Sequence, residues 1–533
     1  MTLRRRIPRF AFSAFVSCGL LAAAPLPAVA DDTDLLRFLD QASFGPTSAQ
    51  IARAQTIGLS AWLEQQLTMR ISTYPSLPMM PGTRPTRCAG DCQRDHYTMY
   101  LLQNRFFVNA LYGQDQLRQR VAWALHKILV VSGRDVTLPS RMAPYLAIFP
   151  RNAFGNYRRL LEEVTLNPAM GDYLDMATST KSRPNENYAR EVLQLFSIGT
   201  DLLNPDGTPQ LDAEGAPLPA YDQEVVSGFS KVFTGWTYAP DPAPGIRNFF
   251  DPMVLRANQH DTGPKALLRG VVLPAGQTGQ QDLADALDDI FQHPNVGPFI
   301  GSRLIRELVT SNPSPAYVAR VTAVFDDNGG GVRGDLWAVV KAILLDPEAR
   351  GAVPAGADQG RLREPALFVI GALRALGARS ADGLGSSDGY LSPQVVLMGQ
   401  DVFRPASVFS YYPAEYLVPG TAGVRGPEFG LLSASTALRR ANFVNTMVFS
   451  RINVGANAPR GTSLNLVPLE ALAGDPVTLV DELDRLLMHG AMSPDMKAAV
   501  VQAVSAVSAA NPRLRAQQAA YLACTSSQYQ VQR

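Results

Sequence analysis

LRQRVAWALHKILVV, residues 117–131, sets the fold class, because its apolar positions recur at helical rather than alternating spacing. The run is too short and too charged to cross a bilayer, and the same holds for Ala338 to Leu345. A helix of a globular body is what remains. Matching patterns flank it, at Tyr97, Tyr100, Leu101 and Phe106 to Tyr112 on one side and at Tyr157 to Thr165 on the other. His126, beside Trp123 and Leu125 in this apolar setting, reads as a packed core histidine.

Towards the N-terminus, Gly45-Pro46 is followed by Thr47-Ser48-Ala49-Gln50 with capping-box spacing, which predicts a helix start with Ile51, Ala54 and Ile57 on one face. A second helix is expected from about Ser60, holding Trp62, Leu63 and Leu67. Tyr74 to Arg87 has no periodicity and reads as a loop leading to Cys88 and Cys92. Towards the C-terminus the character changes at residues 201–224, where Asn204-Pro205-Asp206-Gly207 and Asp212-Ala213-Glu214-Gly215 leave room only for short strands joined by turns. A second β excursion is expected within 240–275, around Val271 to Leu273. Helices resume from Gln280 to Arg350, then at Leu367 to Leu376, Leu432 to Phe449 and Leu479 to Ala510. The expectation is therefore a mainly α, multi-helix globular body with small β-hairpin excursions. It divides into a main helical domain at 31–350 and a C-terminal helical region at 361–533 packing on it, with a loop at Gly356 to Gly360 between them.

The first thirty residues have the layout of a cleavable signal peptide: Arg4, Arg5, Arg6 and Arg9, an apolar stretch from Phe10 to Ala24, and Ala28-Val29-Ala30 before two aspartates. Cleavage after Ala30 is expected, and with it a periplasmic or secreted protein without a membrane span. Arg4-Arg5 leaves open whether export is Sec-type or twin-arginine. An oxidising compartment suits a disulfide between Cys88 and Cys92, a metal site with His96 being the alternative. Cys524 is left as a free thiol or half of an intermolecular bridge. With 48 basic and 47 acidic residues, the net charge of +1 excludes the electrostatic footprint of a nucleic-acid-binding protein.

The strongest local motif is Pro184 to Phe196. On a helix, Glu186, Asn187, Arg190, Glu191 and Gln194 share one side and Tyr188, Val192, Leu195 and Phe196 the other. Such a density of carboxylate, amide and guanidinium groups suits a polyhydroxylated or anionic ligand, while a solvated face held by a Glu186–Arg190 pair is the plainer alternative. His260-Asp261-Thr262-Gly263-Pro264-Lys265 is the second motif, a loop in which a histidine can serve as base and a lysine hold an anion. Asp261, next to His260 in sequence, is a poor orienter for it. Gly385-Ser386-Ser387-Asp388-Gly389 has the letters of a nucleophile elbow without its strand and helix, and Asp326 to Gly331 reads as a turn because Trp337 stands where a calcium loop needs an acid. No motif assigns a metal ligand, and the cofactor, if any, stays undetermined.

Those two motifs, with Ile198-Gly199 and Val232-Phe233-Thr234-Gly235-Trp236, resemble a large bacterial family catalogued as domain of unknown function 1800. The resemblance runs from Arg37-Phe38-Leu39 and Ala42 to Pro46, through Asn167 to Met170 and His293-Pro294-Asn295, to Ser407-Val408-Phe409 and Pro427-Glu428-Phe429. It implies exported, mainly helical proteins, often encoded beside an exported protein of the phosphatase and sulfatase superfamily. Two functions are carried forward from these residues. The first is a hydrolase-like enzyme acting on extracellular or cell-envelope polymer, with Glu186, Glu191 and His260 catalytic and Asn187, Arg190, Gln194, Trp236, Asp261 and Lys265 binding substrate. The second is a non-catalytic binding or assembly partner of that neighbouring enzyme, which the aromatics Phe409, Tyr411, Tyr412 and Tyr416 favour if they are exposed.

Overall fold

Helix Gln116–Ile128 lies at the centre, and every one of its residues is buried. Apolar burial drives the packing on its Leu117, Val121 and Leu125 side. Its polar side is buried too, because Arg118 and Gln119 bond backbone carbonyls and Lys127 meets carboxylates from elsewhere in the chain. Helices Asp32–Ala42, Leu59–Thr68, Tyr100–Tyr112, Ile148–Asn152 and Val296–Leu308 surround it. The computed structural model describes residues 32–351, 358–383, 385–388 and 390–533. The signal segment, the start of the Gly356–Gly360 loop and the last glycine of the 385–389 motif lie outside these residues.

Helices dominate, and strands are confined to two-residue antiparallel pairs. The β excursions fall at 201–224 and 240–275 as expected, except that one strand, Trp236–Thr237, precedes the second range. Residues 201–219 form a meander of isolated bridges, Asp201 to Pro219, Leu203 to Pro209 and Leu211 to Pro217. Further on, Trp236–Thr237 pairs with Val254–Leu255, and Lys265–Ala266 with Val272–Leu273. Two pairings had no local signal: Arg361–Leu362 with Val531–Gln532, and Ala378–Arg379 with Ser463–Leu464.

The N-terminal caps follow the sequence. Thr47 Oγ1 accepts from the Gln50 amide to start Ser48–Ile57, and Thr278 with Gln281 forms a full capping box at Gly279–Phe291. The expected Leu479 to Ala510 helix is corrected to two, Pro476–Met488 and Pro494–Ser505, because His489 and Gly490 turn left-handed between them. A further helix, Pro512–Thr525, follows with Asn511 as its cap. One apolar core extends from Leu35 to Tyr529. Cys88 and Cys92 form the disulfide, and Cys524 is a buried free thiol, which removes the intermolecular bridge. Asp326 to Gly331 is the expected turn, closed by Asp327 Oδ1 accepting from the Gly329 and Gly331 amides.

Candidate binding cleft

Three segments join beneath the end of helix Gln223–Val232 to form a cleft. The Gly235 amide donates to Ser179 O at 2.9 Å, the Arg256 amide to Gly235 O at 2.8 Å, and the Lys181 amide to Gln259 O at 2.8 Å. This stitching needs glycine at 235. Its φ is +82°, and a Cβ there would sit 2.9 Å from both Arg256 O and His260 N. The hollow so formed, about 690 Å³, is lined by Thr178, Ser179, Thr180, Trp236, Tyr238, Asp241, Arg247, Arg256 and Gln259. Through Tyr238, Asp241 and Arg247 it continues into a neighbouring hollow of about 520 Å³ that adds Arg141, Asp172 and Phe249.

Trp236 is 6% exposed, and its indole Nε1 is buried without a hydrogen-bond partner. A buried donor in that state costs about 1–3 kcal/mol unless a ligand or water accepts from it. Tyr238 donates to Asp172 Oδ1 at 2.5 Å. Burial, then that carboxylate, pushes the phenol well above its ordinary range. The Arg247 guanidinium stacks 4.4 Å from the Tyr238 ring centre, and Arg141 lies 4.5 Å from that of Phe249. Burial lowers the pKa of Arg141 from its ordinary value. Asp241 is 3.8 Å from Arg247 and also accepts from the Asn248 amide. The wall thus offers three guanidinium groups against two carboxylates, with hydroxyls and an indole donor between them.

The histidine loop lies behind this wall. His260 is 2% exposed, with Nδ1 2.9 Å from Thr234 O and Nε2 2.8 Å from Asp282 Oδ2. A carbonyl can only accept, so Nδ1 carries the proton of that bond, and neither ring nitrogen is left for a substrate. Lys265, 1% exposed, reaches the same Asp282 oxygen at 2.7 Å and Gly263 O at 2.9 Å, with Asp261 3.8 Å away. The loop packs tightly on helix Gln223–Val232, where a Cβ on Gly228 would fall 1.8 Å from Ala266 O. Asp282, fully buried, holds both the imidazole and the ammonium in place through one oxygen and was missed by sequence reasoning. Its one signal, an acid in the first turn of Gly279–Phe291, reads locally as a helix-dipole residue.

Helix Asn187–Gln194 flanks the cleft without lining it. Glu186 and Arg190 form a half-exposed pair at 2.8 Å, bridged by Gln223. Asn187 Nδ2 donates to Asp175 Oδ2 at 2.7 Å, and Asp175, at φ +61°, leads directly into the cleft segment Ala177 to Thr180. Gln194 is half-buried. Glu191 differs from its neighbours: its Oε2 is buried without a hydrogen-bond partner, and burial raises its pKa against the pull of Arg190. Tyr173 and Tyr221 lie near enough to feel its charge.

So Trp236 reaches the cleft and Asn187 borders it through Asp175, while Glu186, Arg190, Glu191 and Gln194 lie at the flanking helix outside its lining, and His260, Asp261 and Lys265 sit behind it. Other expectations resolve locally. Ser387 is buried and bonded with Thr462, and His126 is buried in an aromatic cage, stacked at 5.7 Å on Trp123. Of the four aromatics read as exposed, only Phe409, at 52%, is so. Tyr412 is buried against Glu364, the Tyr411 hydroxyl accepts from the Phe403 amide, and Tyr416 is half-buried.

The family model described as "Protein of unknown function (DUF1800)" matches residues 37–531 of the chain. Neither the curated proteins nor the solved structures contain a match.

Proposed function

Because the chain belongs to the DUF1800 family, whose description carries no activity, we propose a function from the geometry: an exported protein that holds a segment of extracellular or cell-envelope polymer in the Trp236–Arg247 cleft. The carrying observation is the unpartnered indole N–H of Trp236 in a hollow walled by Arg247, Arg256 and hydroxyl groups. An extended ligand bearing hydroxyls and anionic groups meets each of these demands. It accepts from the indole, lies along the adjoining hollows and pairs with the guanidinium groups. Export is supported by the layout of residues 1–30 and by the Cys88–Cys92 disulfide. Among the described residues no helix is long and apolar enough to cross a membrane.

The test is binding of the mature protein to matched acidic and neutral polysaccharides by calorimetry. Acidic chains should bind more tightly, with affinity falling as salt rises, and Trp236→Ala or Arg247→Ala should each weaken binding about tenfold or more, a loss of about 1.4 kcal/mol. Equal binding by both variants and wild type would remove the cleft from the function.

A second reading, hydrolysis of a polymer that runs beyond the cleft onto the flanking helix Asn187–Gln194, is favoured by Glu191 alone. A carboxyl with a raised pKa and a free buried oxygen is the form a general acid takes. Glu186 and Arg190 then position substrate, and His260 with Lys265 holds the wall. On this reading Glu191→Gln abolishes turnover of a polymer identified by binding while leaving affinity within about twofold. Unchanged turnover in that variant excludes Glu191 from the chemistry.

A further inference from the structure

Far from the cleft in sequence, a cavity of about 430 Å³ lies between the start of helix Ser48–Ile57 and the end of Pro365–Ala375. Its walls are mixed, with an apolar side from Leu111, Leu376, Leu469, Leu472 and Leu486. One cation, Arg374, lines it and is only 5% exposed. Among the described residues no carboxylate pairs with that charge. Arg374 Nε donates to Gly45 O at 2.6 Å, Nη1 to Ala110 O at 3.0 Å and Leu111 O at 2.5 Å, and Nη2 to Gln50 Oε1 at 2.5 Å. All four acceptors are neutral, and among the described residues one of the five guanidinium hydrogens, on Nη2, has no partner. The acid that lines the cavity, Glu482, is held in a two-point pair with Arg485 at 2.7 Å. Burial lowers the Arg374 pKa to about 9, with only Tyr112 opposing.

The carbonyls of Ala110 and Leu111 belong to the last turn of helix Tyr100–Tyr112 and answer part of that charge, and an anion that reached the guanidinium would offset the rest of its desolvation. The geometry provides for one. Ser48 and Ala49, in the first turn of a ten-residue helix, line the same cavity, and Gln50 of that turn is the residue Nη2 already touches. The helix N-terminus and the guanidinium therefore present positive charge to one space, and the leucines give the opposite wall an apolar face. We infer that this cavity binds a small monocarboxylic acid, its carboxylate at Arg374 and the Ser48–Ala49 turn and its aliphatic or aromatic body among the leucines. This site is independent of the cleft reading and stands or falls without it.

Octanoate is the probe and octanol the neutral control, titrated into the full mature protein by calorimetry and thermal shift. Octanoate should bind with one site per chain and raise Tm, with octanol at least tenfold weaker. Arg374 also pins three segments, so its removal can unfold the chain. Leu472→Trp, at the half-buried rim, fills the space without touching those bonds and should abolish octanoate binding while leaving the ligand-free Tm within a few degrees. Trp236→Ala should bind octanoate as wild type does. No binding of octanoate, equal binding of octanol, or undiminished binding by a folded Leu472→Trp protein each overturns the inference.

Discussion

At the scale of single residues, a group's surroundings decide what it can do, and Glu191 and His126 show opposite outcomes. Glu191 is half-buried with an idle oxygen, and its pKa is raised. A raised carboxyl pKa means that folding favours the protonated form, so stability is intact below the ordinary value near 4.5 and is lost as pH rises through the folded value. Glu191→Gln should therefore be slightly more stable than wild type at pH 7, by a few tenths of a kcal/mol after solvent screening, and equal to it at pH 4. Paired thermal melts at the two pH values check the sign. A variant less stable at pH 7 would mean that the carboxylate is paired and not idle. His126 is fully sequestered, and burial, then Lys127, pulls its pKa down to about 3. His489 and His293 are each lowered to about 4, burial again the largest cause. These depressed values contribute stability that is whole above about pH 6.5 and drains away as pH falls towards 4 and 3. For His126 the full shift is worth on the order of 5 kcal/mol. Melts between pH 7 and 4 should show a steep loss that His126→Phe makes shallower, and parallel curves for the two proteins would show that His126 does not carry it.

At the scale of elements, what the sequence made legible follows from how local each cause is. The helix start at Thr47 was readable because a cap and its partner lie three residues apart, and the capping box of Thr278 with Gln281, which has the same spacing, went unread. The meander after Asp201 was readable because turn residues act on their own backbone. The candidate site was legible only in part. The polar face of Asn187–Gln194 formed as its spacing requires, yet spacing cannot say which neighbour covers a face, and His260 met Asp282 from a helix 22 residues on. The strand pair of Arg361–Leu362 with Val531–Gln532 is two residues long and has no periodicity to detect. Gly235 is where element geometry and the cleft meet, since its left-handed φ and the 2.9 Å approach of two backbone atoms exclude a side chain. Gly235→Ala should cost about 1–3 kcal/mol and weaken cleft ligands by moving Trp236, measured by denaturant melts and calorimetry on the same preparation. Unaltered affinity in a destabilised variant would separate the turn from the cleft.

At the scale of the molecule, residues from both of the regions expected at 31–350 and 361–533 meet in one buried ionic centre. Lys127 of the central helix, 1% exposed at its side chain, pairs with Glu307 and lies 3.0 Å from Glu364, which also accepts from Trp123 at 2.6 Å, Gln400 at 2.9 Å and Tyr412 at 2.8 Å. Arg361 joins Glu428 to the same group. Burial raises the pKa of Glu364, but Lys127 and Arg361 outweigh it and hold the carboxyl at about 2. The charges therefore compensate only when both regions are present. This is also why the central helix can be buried on every side although it carries Arg118, Arg120 and Lys127. Removing one partner of such a pair costs about 3–5 kcal/mol, because the other charge stays buried and unanswered. Lys127→Met should lose that much at pH 7 in denaturant melts. Lys127→Met combined with Glu364→Gln should recover part of the loss, since the stranded carboxylate is gone. Residues 361–533 produced alone would strand Glu364 away from Lys127 and Trp123, so the fragment should lack a cooperative melt. A cooperative transition in that fragment would show that the region folds by itself and docks, leaving the ionic centre a fastening and not a shared core.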